Sequence, residues 1–122
     1  MAMNLRRQAL IAMAAYYAAT GAWPILHIRS FEAVTGPKTD RWLVKTVGAL
    51  ALANGVTLAF GARRERIGAE TIALAVCSAL AFSAIDVAYV TRGRIAPVYL
   101  GDAAIELALA AVIAAGEALS ER

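Results

Sequence analysis

"AETIALAVCSALAFSAIDVAYV", residues 69–90, carries no charged side chain between Glu70 and Asp86 and no polar stripe recurring at helical period. A helix on the surface of a soluble bundle keeps one face polar, so a stretch this uniformly apolar predicts a helix with apolar surroundings on all sides. At about 1.5 Å per residue it reaches roughly 30 Å, the thickness of bilayer hydrocarbon.

Three more stretches of the same kind flank it. Residues 8–28, "QALIAMAAYYAATGAWPILHI", hold no formal charge if His27 is neutral; residues 41–62, "RWLVKTVGALALANGVTLAFGA", and 97–115, "PVYLGDAAIELALAAVIAA", complete the set. Four spans and their connections account for most of the 122 residues, which leaves no room for a separate soluble domain. The composition agrees: 61% of the residues are hydrophobic and the mean hydropathy is +0.63, against about 45–50% apolar residues in a soluble domain. The fold class expected is all-α, a polytopic membrane protein built as a four-transmembrane-helix antiparallel bundle, because the second and third connections are short.

Punctuation sets the boundaries. Pro24 should kink or end the first helix, since it lacks an N–H and clashes with the preceding turn. "RSFEAVTGPKTD", residues 29–40, reads as a connector with a turn at Gly36-Pro37, and Phe31 and Val34 place it partly in the interface. Thr39 or Asp40 is the expected N-cap of the second span, Trp42 an interface anchor, and Pro97 the first residue of the fourth. "RRERIG" (63–68) and "TRGR" (91–94) make tight charged turns. Gly48, Ala51 and Gly55 line a small-residue face, read as packing within the bundle in preference to a dedicated dimer motif.

The 12 basic and 9 acidic side chains, a net +3 with a pI near 9.4, fall in short clusters between apolar runs. That distribution suits anionic headgroups of membrane lipids, not nucleic acid, which calls for a concentrated basic patch on a polar surface. Lysines and arginines together divide evenly between the two sides, six and six; Arg6-Arg7 ahead of the first span and three arginines in one turn favour cytoplasmic termini. The lone Cys77 excludes an internal disulfide, a CxxC pair and a zinc site of several thiolates.

Placed by depth, the remaining polar groups converge. His27 ends the first span, Lys45 lies one turn into the second, Asp86 one turn before the end of the third, and Asp102 and Glu106 one and two turns into the fourth. In an antiparallel bundle all five share one half of the membrane, with Asn54 deeper and Tyr89 and Tyr99 flanking at headgroup level. Each has a structural reading beside the functional one: Lys45 snorkels, His27 is interfacial, Asp102 sits at the favourable end of its helix dipole, and Asp86 seeks Lys45, Arg92 or Arg94. Glu106 is hardest to dismiss, and Lys45 and Asp86 are the groups expected to face it.

A carboxylate inside the membrane is a functional-site hypothesis by default. Asp102 and Glu106, four residues apart on one face, can share a proton. Such a pair suits proton-linked transport, a cationic amphiphile, a metal held together with His27, or a lock on Lys45, and spacing alone does not choose among these. No GxSxG elbow, Walker loop, HExxH, CxxCH or dinucleotide fingerprint is present, and no Glu-x-x-His pair for a two-metal bundle. No catalytic residue, metal ligand or cofactor is therefore assigned. With the polar segment "SFEAVTGPKTDRWLVKTVG" (30–48) bridging its first two spans, the chain resembles small bacterial four-helix membrane proteins, loosely DoxX-like in size and span number. The resemblance implies an inner-membrane four-helix fold and transfers no site residue.

The expected function is binding of a lipophilic or cationic small molecule, with proton-linked transport as one form of it. The site comprises Glu106, Asp102, Asp86, Lys45, His27, Asn54, Tyr99 and Tyr89. An accessory subunit of a larger membrane complex, or a homo-oligomer, is the alternative. A membrane-embedded acid/base enzyme comes third.

Overall fold

The computed structural model describes the backbone of residues 2–120 and the side chains of residues 5–116. The described chain is all helix and turn: α1 (Ala2–Leu26), α2 (Ile28–Thr35), α3 (Arg41–Ala62), α4 (Ala69–Thr91) and α5 (Tyr99–Ser120). Four of these contain segments long and apolar enough to cross a membrane, Leu5–Leu26, Arg41–Ala62, Ala69–Thr91 and Tyr99–Gly116. By length and composition this is a multi-pass membrane protein.

The long helices run up and down in a ring in which α1 packs between α3 and α5, α4 packs on α5, and α3 meets α4 more sparsely. Lipid tails are as apolar as leucine, so these contacts draw on close packing and on hydrogen bonds across helices, not on removal of apolar surface from water. The α1–α3 seam shows the first of these. A Cβ added at Gly21 would stand 2.4 Å from Gly48 O, one at Gly48 2.5 Å from Gly21 O, and one at Gly55 2.7 Å from Ala14 O. The small-residue face Gly48-Ala51-Gly55 thus has its partner within the chain, the Ala14-Ala18-Gly21 face of α1.

Along the centre, Leu10, Met13, Tyr17, Leu58 and Ile113 are fully buried. The outward faces carry Leu26, Trp42, Leu50 and Phe60, each more than 60% exposed, as a lipid-facing surface requires.

The ends depart from the sequence expectations in three places. The first half of the connector is itself a helix, α2, and α1 stops at Leu26, two residues after Pro24, where His27 turns to φ −153° and caps α2 through its Nδ1. Asp40 does precede α3, but its side chain makes no capping bond. Pro97 lies in the turn before α5 and not in its first helical position; Leu100 N–H donates to Pro97 O at 2.9 Å and α5 begins at Tyr99. Between α4 and α5 the chain reverses at Gly93 (φ 69°), with Gly93 N–H on Val90 O and Arg94 N–H on Tyr89 O. That pair of bonds is a Schellman closure, and its left-handed residue favours glycine.

The N-terminal arginines have structural work. Arg6, buried, donates from Nε to Ile113 O at 2.9 Å. Arg7 donates to Ala62 O, to Arg64 O at 2.7 Å and to Glu65 O at 3.3 Å, covering carbonyls that the end of α3 leaves without helical partners. At the opposite end, Glu32 pairs with Arg41 at 2.7 Å and accepts from Lys38 N–H at 2.7 Å, tying α2 and its turn to α3. Lys38 Nζ also stands 5.0 Å from the Tyr99 ring, which joins the same turn to the start of α5.

A buried carboxyl cluster under the α2 end

Asp102 and Glu106 are one turn apart on α5 and therefore share a face. That face turns inward: Glu106 is 2% exposed and Asp102 half-buried. Asp86 reaches the same place from α4 and is 5% exposed. Each of the three offers a carboxylate oxygen, and these oxygens all lie within 4.8 Å of one another. The antiparallel α4–α5 hairpin produces this meeting, since Asp86 lies five residues before the end of α4 and Glu106 seven after the start of α5.

The donors come from α1. Tyr16 Oη–H donates to Asp102 Oδ1 and Tyr17 Oη–H to Glu106 Oε1. Tyr17 is held by its neighbours: its ring meets Phe82 of α4 edge-on at a centroid distance of 5.6 Å, and the Tyr16 ring at 6.3 Å. One tyrosine therefore contacts α4 with its ring and α5 with its hydroxyl. Two buried polar atoms on α4, Asp86 Oδ2 and Ser83 Oγ, make no hydrogen bond. They belong to residues three apart, on one face of the helix.

No Lys or Arg among the described residues pairs with the three carboxyls; the ion pair among those residues, Arg41–Glu32, joins α2 to α3 outside the cluster. Two unit charges at the cluster's spacing repel by about 3–4 kcal/mol at an effective dielectric near 20. Three carboxylates so placed need compensation, either from protons or from a cation.

The remaining expected site residues lie elsewhere. Lys45 is exposed on α3 and does not face Glu106. His27 is exposed, its ring bonded to Ser30 Oγ at 2.7 Å. Asn54 donates to Ser78 Oγ at 3.0 Å, a bond between α3 and α4. Tyr89 is at the surface beside Arg92, and Tyr99 is half-buried against Lys38. Of the two groups expected opposite Glu106, Asp86 is there and Lys45 is not.

Tyr16 and Tyr17 are the residues that sequence reading passed over. Their signal was available: two adjacent tyrosines at the middle of an apolar span cannot bring both hydroxyls to the headgroups, so they must find partners inside.

No family model, curated protein or solved structure matches the chain.

Proposed function

We propose that this small membrane protein binds a cationic ligand at the Asp86–Asp102–Glu106 cluster and releases it in exchange for protons. The observation that carries the reading is the absence of any basic partner, among the described residues, for three carboxyl groups within 4.8 Å of one another. A cluster serving only to lock helices is served better by a lysine or arginine opposite the acids, because a lone buried charge is costly. Carboxyls compensated by exchangeable protons have a natural competitor in a cation, and the two are linked: each proton lost strengthens cation binding, and each cation bound releases protons.

Half-buried Asp102 forms the rim of the site on the side of α2, and buried Glu106 and Asp86 form its floor. Tyr16 and Tyr17 hold the carboxyls of α5 in orientation. A bacterial inner membrane, with cytoplasmic termini beside the Arg63-Arg64-Arg66 turn, is the setting that suits the charge distribution. The site then lies towards the opposite face of the membrane.

The test is cation binding to the purified chain in mild detergent, by calorimetry with tetraphenylphosphonium, an alkylammonium and inorganic cations as probes. Saturable binding of at least one of them is expected, accompanied by proton release. Glu106→Gln should abolish it while the helical circular dichroism stays unchanged. Retained binding in a folded Glu106→Gln protein overturns the reading.

A further inference from the structure

We propose that the turn between α3 and α4 is a binding surface for an anionic phospholipid, its headgroup held by Arg63, Arg64 and Arg66 and one acyl chain lying along Phe60 and Val56. The surface stands at the opposite end of the bundle from the carboxyl cluster and does not depend on it.

The turn joins two spans directly, α3 ending at Ala62 and α4 beginning at Ala69, so its side chains stand in the headgroup layer. Arg63, Arg64 and Arg66 are all exposed, with Glu65 the one acid between them. Their guanidinium groups have no hydrogen bond, ion pair or aromatic ring as partner among the described residues. At the α2 end the basic groups are disposed otherwise. Arg41 is paired with Glu32, Lys38 lies against Phe31 and Tyr99, and Arg92 lies over Tyr89. The unengaged Arg29, Lys45 and Arg94 are spread over α2, α3 and the turn after α4. Charge is dispersed at that end and concentrated at residues 63–66.

The base that carries the three arginines is fixed. Arg7 of α1 donates to the carbonyls of Ala62, Arg64 and Glu65, so the backbone of the turn is held from the bundle while its own arginines stay exposed. A guanidinium offers a phosphate two parallel N–H donors, and it is more weakly hydrated than an ammonium.

Below the turn lies an apolar column. Arg63 keeps helical dihedrals (φ −84°, ψ −12°), so Val56, Phe60 and Arg63, spaced four and three residues apart, follow one face of α3 into the turn. Val56 is 47% and Phe60 67% exposed. An apolar column under a cationic rim has the two parts of a phospholipid, acyl chain and phosphate. A soluble phosphate would use the rim alone, and the column therefore points to the lipid as the occupant.

Native mass spectrometry tests this on the full chain, in uncharged detergent holding equal amounts of dioleoylphosphatidylglycerol and dioleoylphosphatidylcholine, which share acyl chains and differ in net charge. The anionic lipid should be retained about fivefold over the zwitterionic one, the factor that one basic side chain contributes near anionic headgroups. The triple variant Arg63→Gln, Arg64→Gln, Arg66→Gln should abolish the preference with helical circular dichroism unchanged. A triple variant with the same loss of charge at the α2 end, Arg29→Gln, Lys45→Gln, Arg94→Gln, should keep it. Phe60→Ala should lower retention of the anionic lipid, and inorganic phosphate in excess should not displace it. The wild type provides a measure free of variants: raising ammonium acetate from about 20 mM to about 500 mM should remove the preference, because exposed charges are screened within a few ångströms at high salt. No preference in the wild type, a preference indifferent to salt, or equal loss in the two triple variants overturns the proposal. Displacement by inorganic phosphate overturns it as well, since the turn would then be a site for a free anion.

Discussion

Helix α1 makes two unlike seams. Against α3 it is dry and close, built from Ala14, Ala18 and Gly21 facing Gly48, Ala51 and Gly55, where an added methyl group would enter the opposing backbone. Against α5 it is polar, with two tyrosine hydroxyls on two carboxylates. The first seam holds two helices together by fit alone. The second gathers like charges and leaves α4 atoms unbonded, an arrangement that a purely structural contact would avoid. The difference separates what the fold needs from what the site needs.

Breaking the first seam should have the largest effect. Gly21→Val would put side-chain atoms into Gly48 O and Leu52 N, which are main-chain atoms and cannot swing aside. The expected loss is about 3 kcal/mol or more, the upper end of overpacking costs, read as unfolding at lower SDS fraction in mixed micelles. An unfolding midpoint equal to that of the wild type would mean that α1 and α3 do not meet as described.

The second seam should answer differently. Tyr17→Phe leaves buried Glu106 without its donor and should destabilise by about 1–3 kcal/mol. Changing both partners, Tyr17→Phe with Glu106→Met, removes the unbonded acid along with one of three repelling charges. The double variant should recover to within about 1 kcal/mol of the wild type or exceed it, because matched apolar replacement of a buried polar pair is often neutral or stabilising. Cation binding should not recover with it. A double variant less stable than Tyr17→Phe alone would make the cluster a structural lock.

The contrast also explains what sequence reading reached. Spans were legible because hydropathy and length are summed over some twenty residues, so that a misjudged end costs little; the three long helices 41–62, 69–90 and 97–115 fall close to α3, α4 and α5. The acids were legible because a carboxyl in an apolar run is conspicuous, and an antiparallel hairpin alone brings Asp86 to Asp102 and Glu106. Their partners were not. Depth assigns Lys45 and His27 to the same half of the membrane as the acids, but azimuth around each helix decides contact, and Lys45 faces outward. Tyr16 and Tyr17 blend into an apolar count, where only their hydroxyls distinguish them. Helix α2 was missed although its eight residues are amphipathic, because they make little more than two turns, shorter than the stretch over which a helical period is read, and the Gly36-Pro37 turn signal assigned the segment to a connector.

A smaller effect attaches to the seam between α3 and α4, which has no acids and whose close glycine, Gly61, faces the Thr71 side chain and not opposing backbone. Asn54→Ala removes its one described side-chain bond, that to Ser78 Oγ, and such bonds between helices in a bilayer average about 0.6 kcal/mol. A loss of that size in the same SDS titration is expected, well below the effect of Gly21→Val. A loss as large as that of Gly21→Val would place the weight of the bundle on α3–α4 instead of α1–α3.

The smallest effect lies outside both seams, in the turn that closes the site end of the bundle. The Lys38 backbone N–H holds the Glu32 carboxyl below the ordinary glutamate value near 4.5; loss of hydration pulls the other way, and the Arg41 guanidinium adds to the lowering. A carboxyl whose value is lowered on folding contributes stability at pH above 4.5, and that contribution disappears as the pH falls through the lowered value. Protection of the Lys38 amide against hydrogen exchange, compared with that of amides in mid-α3 at each pH, should therefore hold from neutrality to pH 4.5 and decline below it. In Glu32→Gln the decline should be absent, since the amide side chain does not titrate there. A wild-type profile flat to pH 3 would show that the α2 turn is held by the Lys38–Tyr99 contact instead. It would also detach the closing of the site end from acid titration, leaving the buried cluster as the place where protons act.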